Sequence, residues 1–200
     1  MRLSFLLLIS VISMTGLAAN EKPQATYTIP MPPPPDFSAL DWLIGEWRGK
    51  TTGRELQGGI HLSVSYDLEK RFVILRQQVS LPPTKDSPGV EESWMGVLSD
   101  DRVRPGLVLR TFSSTGFMTR YRVLVDKAQI RFNPEGGDDP PPGWLFRTLI
   151  TRTSPDQLTL TVQAAPPDKP FFDYYTATLA RQPRSPEGEP KPLPAPTPNP

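Results

Sequence analysis

The 200-residue chain contains no cysteine and a single histidine, His61. The first absence removes disulfides, thiolate nucleophiles and the common zinc sets that rely on Cys. The second leaves His61 as the one imidazole for a Ser-His-Asp relay, and no Gly-x-Ser-x-Gly elbow accompanies it. His61, between Ile60 and Leu62, reads as a solvated strand residue. Charge of one sign is also missing, since 22 Lys and Arg face 21 Asp and Glu. Nucleic-acid binding needs a basic surface, so no nucleic-acid partner is expected. Long apolar runs are absent except for Leu3 to Met14, about a dozen residues where a membrane helix takes ~20. Gly58-Gly59 and Gly136-Gly137 fit no phosphate-loop or dinucleotide fingerprint. The acidic pairs Glu91-Glu92, Asp100-Asp101 and Asp138-Asp139 lack calcium-loop spacing. Neighbouring carboxylates on a strand point to opposite faces, while Asp in a turn caps its own backbone. No catalytic residue, metal ligand or cofactor is expected from this inventory.

What is present at the amino end reads as an address. Arg2, the apolar stretch and a small-residue exit at Gly16-Leu17-Ala18 or Leu17-Ala18-Ala19 predict a cleavable signal peptide over residues 1–19. The mature chain is then secreted or periplasmic, with no membrane span. No Cys follows the apolar run, which excludes a lipid-anchored lipoprotein. A disulfide-free exported chain suits a bacterial periplasm better than an animal extracellular space. Arg2 is the only charged side chain lost with the signal, leaving 21 basic against 21 acidic residues. Residues 20–35 form a Pro-rich spacer ending in Pro32-Pro33-Pro34-Pro35, which favours polyproline II. Residues 182–200 hold eight prolines and too little apolar surface to fold, so a disordered tail is expected.

Residues 36–181 are left as one domain. Asp36 or Ser38 can cap a short helix carrying Leu40, Leu43 and Ile44, with Gly45 ending it. About ten strand-like runs follow, beginning with Gly45–Thr52. The second alternates Ile60, Leu62, Val64, Tyr66 and Leu68 with polar residues, one buried and one wet face. Further runs are 71–81, 92–98, 107–113, 117–125, 129–132, 144–151, 158–162 and 171–180. A loop with four prolines and three glycines is expected over Asn133 to Gly143. Short polar turns make consecutive runs antiparallel neighbours. The fold class is all-β, either a sandwich or a closed antiparallel up-and-down barrel.

The stretch Leu43-Ile44-Gly45-Glu46-Trp47-Arg48-Gly49 favours the barrel. Gly45 can leave the helix at a dihedral barred to other residues. Gly49 shares the face of Trp47 and leaves room for the indole. In a closed antiparallel barrel the first and last strands pair, so Arg181 can stack on Trp47. These residues resemble the calycin superfamily of lipocalins, fatty-acid-binding proteins and relatives. More closely, Leu43 to Gly49 and the turn into a strand at Asp67-Leu68-Glu69-Lys70-Arg71-Phe72-Val73 look like nitrobindin-like ten-stranded barrels and related bacterial secreted domains. The resemblance implies a closed barrel of about ten strands, with Gly45, Trp47, Gly49 and Arg181 as its structural closure. Nitrobindins hold haem through a late histidine. The late strands of this chain have none, and a tyrosine such as Tyr174 or Tyr175 would have to serve instead.

Aromatic residues are spread over most runs, and a small barrel either fills its interior or holds one ligand. Tyr66, Trp94, Tyr121, Phe146 and Tyr174 are the candidate ligand-binding aromatics. The facing of two runs is ambiguous. Val73, Leu75, Gln77 and Val79 oppose Phe72, Ile74, Arg76 and Gln78, while Phe117, Tyr121, Val123 and Val125 oppose Met118, Arg120, Arg122 and Leu124. An inward Arg76 or Arg120 would favour an acidic head group, so Arg76 joins the candidate binding set. The leading expectation is a small hydrophobic or amphipathic ligand bound without catalysis. An interaction module using the Pro-rich tail, and an isomerase-type enzyme with an inward acid such as Glu92, stand as alternatives.

Overall fold

The structure, a computed structural model, describes residues 32–52, 58–83, 85, 88–137 and 143–183. The expected signal peptide, most of the spacer, nearly all of the tail and the pair Asp138-Asp139 lie outside the described residues. Among the described residues, a 3-10 turn, Ser38–Leu43, leads into ten strands. They are β1 (Gly45–Thr52), β2 (Gly59–Asp67), β3 (Phe72–Leu81), β4 (Val90–Asp100) and β5 (Leu107–Ser113). β6 (Met118–Asp126), β7 (Gln129–Gly137), β8 (Leu145–Ser154), β9 (Gln157–Ala165) and β10 (Phe172–Arg181) complete them. Each strand pairs antiparallel with its neighbours in sequence, and β1 pairs with β10 to close the barrel. The sandwich alternative is thereby excluded.

The helix is tighter than its leucine spacing implied, and Ile44 lies beyond it in extended conformation. Asp36 does contribute at its start, its carboxylate accepting the Ser38 N–H at 2.9 Å. The loop expected from Asn133 is strand as far as Gly137. Pro134 is tolerated because β7 pairs with β8 only as far as Phe132 and Thr148. Beyond that point β7 has one neighbour, β6, with a register shift at Arg120/Tyr121, and a missing N–H costs little on an edge or at a bulge. The β2–β3 turn runs through three successive left-handed residues, Leu68, Glu69 and Lys70 (φ 45°, 57° and 61°). Asp67 steadies it, its carboxylate accepting the Leu68 N–H at 2.7 Å and its carbonyl the Arg71 N–H at 3.1 Å.

Strand facing follows the period of two. On β2, Ile60, Leu62 and Val64 are buried; on β3, Val73, Leu75, Gln77 and Val79 are. Arg76 is exposed on the opposite face, and Arg120 lies on the outer face of β6, where its guanidinium bonds the Asp101 carboxylate at 2.9 Å. The inward arginine considered from sequence is therefore corrected at both positions.

The apolar core gathers in the half of the barrel where β1 begins. Phe37, Leu40 and Leu43 from the 3-10 turn plug this end against Trp47, Leu62, Val64 and Val73. Trp47 is 0% exposed, and its indole N–H donates to the Leu43 carbonyl at 2.8 Å. Arg181, directly opposite Trp47 in the β1–β10 ladder, lays its guanidinium 4.1 Å from the indole centroid. The same group donates to the carbonyls of Ile44 and Trp42, both at 2.7 Å. Gly45 has φ +137°, and a Cβ there would sit 2.7 Å from the Arg181 guanidinium. Gly49 is required for a reason other than indole clearance: a Cβ there would lie 1.9 Å from the Thr178 carbonyl oxygen of β10.

Candidate functional site

Barrel width grows with strand number, and eight strands are about what side chains alone can fill. Ten strands must be plugged or left hollow. The closed half is plugged by the indole and the 3-10 turn. The other half is lined by shorter side chains, among them Thr51, Thr111, Thr119, Thr148 and Val162, and it encloses a cavity of about 430 Å³. That volume lies within the range of small-molecule sites.

Aromatic rings form much of the wall. Trp94, Tyr121, Phe146 and Tyr174, four of the residues singled out from sequence, line the cavity. From the rim, Trp144 stacks on Phe146 with centroids 6.3 Å apart, Phe146 meets Tyr174 edge-on at 6.2 Å, and Tyr174 meets Tyr175 at 6.0 Å. A continuous aromatic track thus runs inward from the mouth. The bulge between Asp173 and Tyr175 on β10 brings both tyrosines to this track, against the alternation of a regular strand.

Three polar groups meet the track. Gln77 is 3% exposed; its amide N–H donates to the Tyr175 hydroxyl at 3.4 Å, while its Oε1 has no hydrogen-bond partner. An unpaired buried acceptor costs on the order of 1–3 kcal/mol unless something supplies a donor. Burial pushes the Tyr175 phenol well above its ordinary pKa, and the nearby Glu92 carboxyl adds to the shift, so the phenol stays a neutral donor. Glu92 pairs with inward-facing Val79; it is exposed at the open end, and partial desolvation raises its pKa above the usual carboxylate value. Glu91 stands beside it at the rim. An adjoining groove of about 530 Å³ shares Glu91 and Glu92 and adds Arg48 and His61.

Two of the candidate ligand-binding residues are elsewhere. Tyr66 belongs to the closed end: its ring lies 6.4 Å from that of Phe37, and its hydroxyl donates a short hydrogen bond to the Asp41 carboxylate. Desolvation, then the bond to Asp41, pushes its pKa up to about 12. Arg76 is on the outer wall and does not line the cavity. Sequence reasoning missed Gln77 and the threonine lining, and it left Glu92 and Tyr175 out of the candidate binding set. The available signal was Gln77 itself, a polar residue inside the apolar period-two row of β3.

Outside the cavity, His61 is not simply solvated. Its Nε2 lies 2.6 Å from Glu46 Oε2, and the Ser63 hydroxyl donates to Glu46 Oε1, also at 2.6 Å. The serine bonds the carboxylate and not the imidazole, so the three do not form a nucleophile relay. Asp101 caps its own turn, accepting the Val103 N–H at 3.0 Å. That bond, and the guanidinium groups of Arg120 and Arg104, hold its pKa below the ordinary value. Among the described residues, no helix is long and apolar enough to cross a membrane.

No family model and no curated protein matches the chain. Among solved structures it is similar to the crystal structure of Rv2717c from M. tuberculosis, with 21% identity and a TM-score of 0.50. The match covers 72% of this chain and 96% of that one. At that identity the likeness is one of fold: a ten-stranded antiparallel β-barrel.

Proposed function

We propose that the chain is an exported, lipocalin-like barrel of the calycin type that holds an apolar or amphipathic small molecule in its open half and performs no chemistry on it. The reading of residues 1–19 as a signal peptide supports export, and the Gly45, Trp47 and Arg181 closure supports the calycin likeness. One observation carries the binding function: a cavity of about 430 Å³ walled by aromatic rings, with Gln77, whose Oε1 the chain leaves unpaired, among its lining residues. Small-molecule sites are mostly apolar with a few placed polar groups, which is this arrangement. Native mass spectrometry of the full chain, purified from its own host, is the test. The expected result is a copurifying mass that dissociates on unfolding. A chain that carries nothing and takes up no apolar probe would overturn the proposal. Glu92 is the one observation that favours an isomerase-type enzyme. Among the described residues the cavity gives it no Lys, Arg or His as a proton partner, and the nearby Tyr175 phenol holds its proton strongly, so binding is the better-supported reading.

A further inference from the structure

The cavity carries charge of one sign. Glu91 and Glu92 line it, and among the described residues no Lys, Arg or His does. Arg76 and Arg120, the arginines that sequence could have turned inward, both lie on the outer wall. Arg48 and His61 belong to the adjoining groove. An anionic ligand would therefore meet carboxylates and no counter-charge. The faces of aromatic rings are electron-rich and attract cations, more strongly when water is excluded. The track from Trp144 through Phe146 and Tyr174 to Tyr175 supplies such faces from the rim to the interior. At its inner end is the unpaired Oε1 of Gln77, which can accept a hydrogen bond and cannot donate one. Gln77 and Glu92 sit on neighbouring strands, opposite Trp94 and Val79 respectively, which makes them diagonal neighbours on the inner face. That relation spans about 7–8 Å between backbones, close enough for one protonated nitrogen to address both side chains.

Resting on the proposed binding function, we infer that the ligand is a cationic amphiphile: an apolar or aromatic body whose protonated amine is held between Glu92 and Gln77. The aromatic track takes the body, Gln77 Oε1 accepts one N–H, and the Glu92 carboxylate supplies the counter-charge. Desolvation raises the Glu92 pKa in the unliganded chain, and a bound cation opposes that shift. The titratable groups that line the cavity with Glu92 are the Tyr121, Tyr174 and Tyr175 phenols and Glu91, while Arg48 and His61 line only the adjoining groove.

The test uses the full chain and three probes that share one naphthalene fluorophore and one alkyl spacer but end in a primary ammonium, a hydroxyl or a carboxylate. At pH 7 the ammonium probe is expected to bind at least about tenfold more tightly than the carboxylate probe. Glu92→Gln should remove most of that preference by weakening the ammonium probe. Lowering the pH to about 4 should bring ammonium-probe binding down towards that of the hydroxyl probe, which does not titrate, and this pH effect should be smaller in Glu92→Gln, where only Glu91 remains to be protonated. Equal or reversed ranking of the ammonium and carboxylate probes, or a preference that survives Glu92→Gln, would overturn the cationic assignment alone. Failure of all three probes to bind would overturn the binding function with it.

Discussion

At the end of the barrel where β1 begins, Trp47 is wholly buried and its one N–H is bonded to the Leu43 carbonyl. At the other end Gln77 is 97% buried, and its carbonyl oxygen has no partner. The same ten strands supply both. In the closed half the Trp47 indole is matched by Arg181, the helix-end carbonyls by the same guanidinium, and the Tyr66 hydroxyl by Asp41, while the buried Trp42 indole N–H is left without a partner. In the open half threonines stand where large apolar residues would fill the interior, and Gln77 Oε1 is left unpaired beside the cavity. Close packing stabilises a fold, whereas an unpaired buried group is tolerated where a ligand can complete it. The two halves thus divide stability from recognition.

The largest effect that tests this division is Trp47→Ala. Removing a fully buried indole should cost about 3–5 kcal/mol, read from denaturant unfolding. Tyr174 is 43% exposed at the mouth, and Tyr174→Ala should stay within about 1 kcal/mol of the wild type while weakening ligand uptake. Equal losses at the two positions would break the comparison.

Arg181→Met should come next. The change removes the cation from the indole face and strands the carbonyls of Ile44 and Trp42. The expected loss is about 1–2 kcal/mol in the same unfolding measurement, with ligand uptake unchanged. Arg181→Lys should recover only part of it, since an ammonium lacks the planar fork that reaches two carbonyls at once.

The closed end was the more legible from sequence, and the contrast has a physical cause. Gly45, Trp47 and Gly49 lie on β1 and Arg181 at the end of β10, so closure alone brings them together. Alternation on β2 was equally plain because its two faces differ sharply in polarity. On β3 they do not: Phe72 and Ile74 are half-buried on the outside, so the outer row looks as apolar as the inner one. Arg76 was misplaced for that reason, and Gln77 was passed over. Tyr174 and Tyr175 were confounded differently, since the β10 bulge breaks the period on which facing rests. Cavity volume depends on how much the plug fills, which residue pattern does not encode. Tyr66 illustrates this: its strand and inward row were read correctly, yet it belongs to the plug and not the cavity.

The smallest effect concerns two carboxylates whose surroundings oppose each other. Asp101, on the outer wall, has its pKa lowered by the Val103 N–H and by arginines; Glu92, at the mouth, has its pKa raised by loss of water. A lowered folded pKa gives stability that is present at neutral pH and lost as pH falls through the acid range. A raised one gives stability that is complete below the unfolded pKa of about 4.3 and lost as pH rises through the folded value. Without ligand, Glu92→Gln should therefore unfold at a higher temperature than the wild type at pH 7, with the gap closing as the pH falls to about 4. Asp101→Asn should behave oppositely, destabilised at pH 7 and approaching the wild type in acid. Thermal unfolding of the three chains across that range checks both signs. If wild type and Glu92→Gln ran parallel throughout, the mouth carboxylate would be as well hydrated as an ordinary surface group. The open half would then lose the desolvation that sets it apart from the rest of the wall.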